Sequence, residues 1–125
     1  MKTILIIIAH GSRNEGSNTE VRELCGRLAE VASTDHVMPA FLELAEPSLS
    51  ATVDGAVNAG AEHILVLPYF LNSGRHVTRD VPALVSTARL EHPGTSIDLL
   101  PHIGGTDAFF SAMESIVRRQ GRQED

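Results

Sequence analysis

Two histidines stand where a buried strand gives way to a loop of small polar residues. His10 follows the apolar run Ile4-Leu5-Ile6-Ile7-Ile8-Ala9 and opens His10-Gly11-Ser12-Arg13, while His76 follows the stretch Ile64 to Leu71 through Asn72-Ser73-Gly74-Arg75. In an open parallel α/β sheet, ligands bind beyond the carboxyl ends of the strands, so imidazoles from two such loops can converge on one metal ion or one proton. A neutral imidazole is the form that either requires. Glu43, in Phe41-Leu42-Glu43, closes the second expected strand and belongs to the same edge, as a third ligand, a proton acceptor or the partner of an arginine. Two histidines and a carboxylate form an open nitrogen and oxygen donor set of the kind cobalt, nickel, iron and zinc share. A closed thiolate site is excluded, because the chain has one cysteine.

Other candidates are subsidiary. Asp80 lies one helical turn past His76, where it either orients that ring or forms an ordinary surface pair. His102 follows the fourth expected strand and is a weaker third candidate. His36, His63 and His92 fall at strand starts or at a helix end, on the opposite side, and are read as structural or solvent-facing.

The elements that must position these residues alternate regularly. Strands are expected over 3–9, 36–43, 63–70 and 96–101, and helices over 19–32, 48–59, 77–91 and 106–119. Asn18 or Thr19 is the expected cap of the first helix and Ser48 or Ser50 that of the second, with Gly60 as its stop. The β-branched runs 3–9 and 63–70 read as strands buried on both faces. Four βα units joined by short connections give an α/β fold: an open, flavodoxin-like parallel sheet of about four strands with helices on both faces. So small a sheet leaves an edge that a second subunit could cover.

Composition sets the outer bounds. With 125 residues, 42% apolar and 21% charged, residues 1–125 are expected to form one domain, with 119–125 as a polar tail. A net charge of −6 without a long basic run argues against nucleic acid or an anionic membrane as the main partner. No apolar run approaches the roughly 20 residues of a bilayer span. The chain enters a strand directly after Met1-Lys2, so no signal peptide and a cytoplasmic location are expected. Cys25 falls on the apolar face of the first helix and is expected to be a small buried residue rather than a nucleophile.

Three segments, Ala9-His10-Gly11-Ser12-Arg13, Phe41 to Leu49, and Leu67 to Pro82, resemble in order and spacing the small form of sirohydrochlorin cobaltochelatase, a class II tetrapyrrole chelatase. The resemblance implies a chelatase-like fold, a homodimer, and ATP-independent insertion of a divalent metal into sirohydrochlorin, with no organic cofactor. It implies cobalt(II) first, with iron(II) and nickel(II) as the metals of close relatives. It also implies that His10 and His76 bind metal and accept the pyrrole protons. Sirohydrochlorin carries eight carboxylates, so Arg13, Arg75 and Arg79, with the backbone of Gly11, Ser12, Ser73 and Gly74, are the expected substrate contacts. The final third departs from the family pattern, because His102 precedes Gly104 and Gly105, and no role carries over to it.

Rival readings use the same residues. A flavodoxin-like module would cradle a phosphate in the loop 11–18, and a metal or tetrapyrrole carrier would share the ligands without turnover. A phosphohistidine hydrolase or mutase would use His10 to attack a phosphate clamped by Arg13, but such enzymes usually place an arginine just before the His-Gly pair, where Ala9 stands.

Overall fold

The computed structural model describes residues 1–124. Strands β1 (Thr3–Ala9), β2 (His36–Phe41), β3 (His63–Pro68) and β4 (Ser96–Leu99) form one parallel sheet in the order β2-β1-β3-β4. Parallel pairing requires a crossover between successive strands, and α1 (Glu15–Val31), α2 (Leu49–Asn58) and α3 (Val81–Glu91) supply it. A fourth helix, α4 (Asp107–Glu124), follows β4 through one 3-10 turn at Ile103–Gly105.

β1 is hydrogen-bonded on both sides, which explains its unbroken apolar run. Ile4, Ile6 and Ile8 are fully buried on the face covered by α2 and α3, where they join Val53, Ala56, Val81 and Val85. Each such side chain contributes roughly 2 kcal/mol on leaving water. On the other face Ala9 and Phe41 pack against Val21 of α1.

Several boundaries differ from the sequence expectation, each for a local reason. α1 begins at Glu15, not near 19, because Asn14 is the cap: its side chain accepts the Gly16 N–H at 3.0 Å. Asn18 and Thr19 lie inside the helix and cap nothing. Ser48 does cap α2, accepting the Ala51 N–H at 3.1 Å, and Gly60, at φ +95°, ends it. β2, β3 and β4 stop at Phe41, Pro68 and Leu99, two residues before the expected ends. Beyond those points the ladder continues through single bonds: Leu42 N–H to Ala9 O, Glu43 N–H to His10 O, Tyr69 N–H to Ile8 O and Leu100 N–H to Val66 O. The third helical segment starts at His76, with a wide π-helical turn (His76–Asp80) ahead of α3. α4 continues to Glu124, so the expected polar tail is helical to that residue; Asp125 lies outside the described residues.

α4 does not fold back onto the sheet. Phe110, Met113, Ile116 and Val117, which share one side of the helix, are 69%, 51%, 67% and 72% exposed. No helix among the described residues is long and apolar enough to cross a membrane.

Cys25 is buried in α1, and burial pushes its thiol up to about 11. The neutral thiol is the favoured form, so its stabilising contribution is complete below the ordinary thiol pKa and is lost as pH rises toward 11. A shift of about two units lowers the thiolate fraction near neutrality about a hundredfold. A thiolate-selective reagent at pH 7.5 is therefore expected to label the folded chain far more slowly than the urea-unfolded chain; equal rates would place Cys25 in solvent.

Candidate functional site

The single bonds beyond the strand ends build the site. After β1 the chain turns at Gly11, with φ +92°, where a Cβ would lie 1.8 Å from the Glu43 carbonyl oxygen. Only glycine permits that approach. It holds the backbone of Glu43 against that of His10, with the Glu43 N–H donating to His10 O at 3.1 Å. Leu44, next in the chain, sits at φ +63°, a left-handed conformation costly for a residue with a side chain.

Three side chains converge at this edge. The ligand-type atoms of His10, Glu43 and His76 all lie within 4.8 Å of one another. The two rings meet at a centroid distance of 4.7 Å and an interplanar angle of 60°. His10 Nδ1 is 3.0 Å from Gly11 O, and because a carbonyl only accepts, Nδ1 carries the proton of that bond. Its Nε2 faces Glu43 Oε1 at 2.9 Å. His76 Nδ1 is 2.8 Å from Asp80 Oδ2, so Nδ1 donates there and Nε2 is left for a ligand. Phe70 stacks on the His76 ring with centroids 6.4 Å apart.

In the neutral His10 tautomer, Nε2 presents a lone pair toward a carboxylate that also only accepts. Such a pair is stable with a cation between or beside its members, either a proton or a metal ion. Two open hollows of about 380 Å³ each flank the cluster. One runs from His10 along Ser12 and Asn18 to Tyr69; the other is bounded by Glu43, His76, Asp80 and Leu84.

The structure thus gathers His10, Glu43 and His76 at one edge, with Asp80 hydrogen-bonded to His76. Gly11 and Ser12 border the first hollow. Ser73 and Gly74 are exposed in the loop before His76, where the Gly74 carbonyl accepts the Val77 and Thr78 N–H groups. Arg13, Arg75 and Arg79 are exposed, line neither hollow, and make no ion pair among the described residues. His102 is not in the cluster: it is half-buried and its ring lies against Gly105. Its neighbour Gly104 packs on Leu71, where a Cβ would lie 1.8 Å from the carbonyl oxygen, so this segment buttresses the loop that leads to His76. His63 and His92 pair with Asp98 and Asp54 at 2.8 Å, and His36 is exposed at the start of β2.

One set of residues near the cluster is not anticipated by sequence. Asn18 is 2% exposed and bonds to both polar groups of the Ser12 backbone. Arg22 joins Glu15 at 2.6 Å, reaches Glu46 O at 3.2 Å and lies over the Phe41 ring. These contacts hold the Glu15 carboxyl below its usual range, through Arg22 first and Asn18 second. The available signal was spacing: Asn18, Val21 and Cys25 fall on one helical face, and an asparagine on a buried face needs partners.

Fold and site together define an open parallel α/β protein with a candidate exchangeable metal site at the carboxyl edge of its sheet. The chain belongs to the CbiX family, whose pattern matches residues 4–120. It is 37% identical over 100 residues to the chloroplastic sirohydrochlorin ferrochelatase of Arabidopsis thaliana, covering 80% of this chain and 44% of that protein. It is 35% identical over 92 residues to the sirohydrochlorin cobaltochelatase of Methanocaldococcus jannaschii, covering 70% and 62%. The chain therefore spans less than two thirds of the length of these relatives. A crystal structure from Marinobacter aquaeolei VT8, of a CbiX protein provisionally assigned to cobalamin biosynthesis, superposes with a TM-score of 0.79 at 33% identity and covers 97% of this chain and 98% of its own.

The Asp80 contact yields a direct test. Asp80→Ala is expected to weaken cobalt(II) binding by the protein alone about tenfold, read by titration, with little change in melting temperature, since removing the acceptor behind a ligating imidazole typically costs 10- to 100-fold. An unchanged affinity would show that the His76–Asp80 pair is only a surface contact.

Proposed function

We propose that this chain is a sirohydrochlorin metal chelatase that inserts a divalent metal, cobalt(II) first, without ATP. The observation that carries the reading is the convergence of His10, Glu43 and His76 within 4.8 Å at an open edge beside two hollows. The names of the relatives support the substrate. They divide on the metal, one naming a ferrochelatase and one a cobaltochelatase. Cobalt is put first on the resemblance of the three motif segments and on the provisional cobalamin-biosynthesis assignment of the Marinobacter aquaeolei CbiX protein.

The chemistry follows from the donor set. A free tetrapyrrole gives up two pyrrole N–H protons as one divalent ion forms bonds to its nitrogens, so the site must deliver a cation and receive protons. His76 Nε2 and the His10–Glu43 pair can do both, because a group that releases the metal regains a lone pair for a proton. Weak, open coordination by three protein donors keeps the metal exchangeable. Arg13, Arg75 and Arg79, exposed around this edge, are the proposed partners of the substrate's carboxylates, together with the backbone of Gly11, Ser12, Ser73 and Gly74.

We also place the reaction in a homodimer in the cytoplasm. The uncovered stripe Phe110, Met113, Ile116 and Val117 supports the dimer as a surface for a second copy. The unpaired Cys25 is in keeping with a reducing compartment. Light scattering of the purified chain is expected to give twice the 13.4 kDa chain mass, and Ile116→Glu to give the monomer. A monomeric wild type would remove the dimer from the account.

The function itself is tested by following the absorption spectrum of sirohydrochlorin mixed with the protein and cobalt(II), iron(II) or nickel(II). Faster insertion than the uncatalysed reaction is expected, with cobalt(II) preferred. His10→Ala and His76→Ala are each expected to lower the rate at least about a hundredfold, the scale of a lost acid–base group, with the fold retained. Tight binding of the macrocycle without turnover would instead identify a carrier.

A further inference from the structure

The buried side chain of Asn18 has no part in the donor set, yet it is tied to His10 through a single peptide group. The amide joining Gly11 to Ser12 is planar, so its C=O and N–H point in opposite directions and turn together. The Ser12 N–H of that group donates to Asn18 Oδ1 at 2.9 Å. The Gly11 C=O of the same group accepts from His10 Nδ1 at 3.0 Å. Asn18 Nδ2 also donates to Ser12 O at 2.8 Å, so one side-chain amide grips the peptide on both sides of Ser12. A second bond from Nδ2, to Glu15 Oε2 at 3.1 Å, fixes the plane of the Asn18 amide. Glu15 is in turn held by Arg22, whose guanidinium is anchored over Phe41.

We propose that Asn18 is the positioning residue for His10: by clamping the Gly11–Ser12 peptide it aims the Gly11 carbonyl at Nδ1 and so fixes the tautomer that leaves Nε2 free for the cation. Gly11, at φ +92°, has no side chain to hold its peptide plane, and rotation of that peptide would replace an acceptor beside Nδ1 with a donor. The ring could then protonate at Nε2, the nitrogen that faces Glu43, and the donor set would lose a member. Asn18 suits the task because it accepts and donates at once and because, at 2% exposed, its bonds compete little with water. Asp80 does for His76 from the side chain what Asn18 does for His10 through the backbone. The proposal rests on His10 being a cation ligand, and its test separates the two claims.

The test is cobalt(II) titration of the protein alone, with wild type, His10→Ala, Asn18→Leu, Asn18→Asp and the double variant Asn18→Leu/His10→Ala, each checked by thermal melting. Asn18→Leu, close in size but unable to accept a hydrogen bond, is expected to weaken cobalt(II) binding about tenfold. Asn18→Asp still accepts the Ser12 N–H but cannot donate to Ser12 O and sets a second carboxylate beside Glu15. It is expected to lower the melting temperature while restoring most of the affinity that Asn18→Leu loses. In the His10→Ala background Asn18→Leu is expected to cost no further affinity, because the two act through one ligand. An equal loss in both backgrounds, or an affinity that merely follows melting temperature across the variants, would overturn the positioning role. If His10→Ala left binding unchanged, the metal-site reading would fail and the proposal with it. The wild type offers a check that no folding defect can obscure: nitrogen-15 shifts of His10 in the protein loaded with zinc(II), a diamagnetic ion of the same donor class, should show the proton on Nδ1 and the ion on Nε2. An ion on Nδ1, or a proton kept on Nε2, would contradict the proposal.

Discussion

The site depends on a close approach of two backbones. Gly11 lies so near the Glu43 carbonyl that no side chain fits between them, and the Glu43 N–H closes the contact by donating to His10 O. This brings the bases of the His10 and Glu43 side chains together without reliance on long, flexible reach, so little rotamer entropy is spent in bringing their polar atoms together. The wide turn at His76–Asp80 sets the third donor, with Phe70 stacked against its ring. π-helical turns occur often at functional sites, and here one carries His76 at its first residue and that ring's hydrogen-bond partner at its last. The left-handed Leu44 is a local cost of sending the chain away from Glu43 after such a contact.

Charge at this edge is divided between the three-residue cluster and the arginines outside it. The chain is acidic overall, at −6, yet the cluster itself offers one carboxylate and two imidazoles, enough to hold a divalent ion without neutralising it. Arginines 13, 75 and 79 stand exposed outside the two hollows. In the proposed reaction they would be free to follow the carboxylates of a large substrate, since exposed side chains are held by little besides solvent. A second strand of the design runs behind His76, where Gly104 packs on Leu71 and ties the start of α4 to the loop that carries the histidine.

Much of this was legible in the sequence, and the reasons are specific. The run Ile4 to Ile8 could only be a strand covered on both sides, and Ser48 and Gly60 mark α2 by their hydrogen-bonding and conformational preferences. Those two facts place His10 and Glu43 at one edge. The start of α1 was not legible, because Asn14 and Asn18 are equally good caps by type and only the tertiary bonds to Ser12 assign Asn18 elsewhere. The ends of β2, β3 and β4 extend two residues further in the sequence pattern than in the sheet, because single cross-strand bonds continue past the paired region. His102 sits at the expected edge but contributes packing, since Gly105 offers its ring a surface rather than a ligand. The exposed stripe on α4 has the spacing of a buried face, and spacing alone does not say whether the cover is the same chain or another.

The proposed chemistry requires one divalent ion held by His10, Glu43 and His76 through the two Nε2 atoms and a carboxylate oxygen. A crystal structure of the chain soaked with cobalt(II), with the ion placed by its anomalous scattering, tests this most directly. A single strong peak is expected at about 2.0–2.2 Å from those three donors, with Nδ1 of each histidine still bonded to Gly11 O and Asp80. Cobalt bound instead at the His63–Asp98 or His92–Asp54 pairs, with the His10 cluster empty, would contradict it.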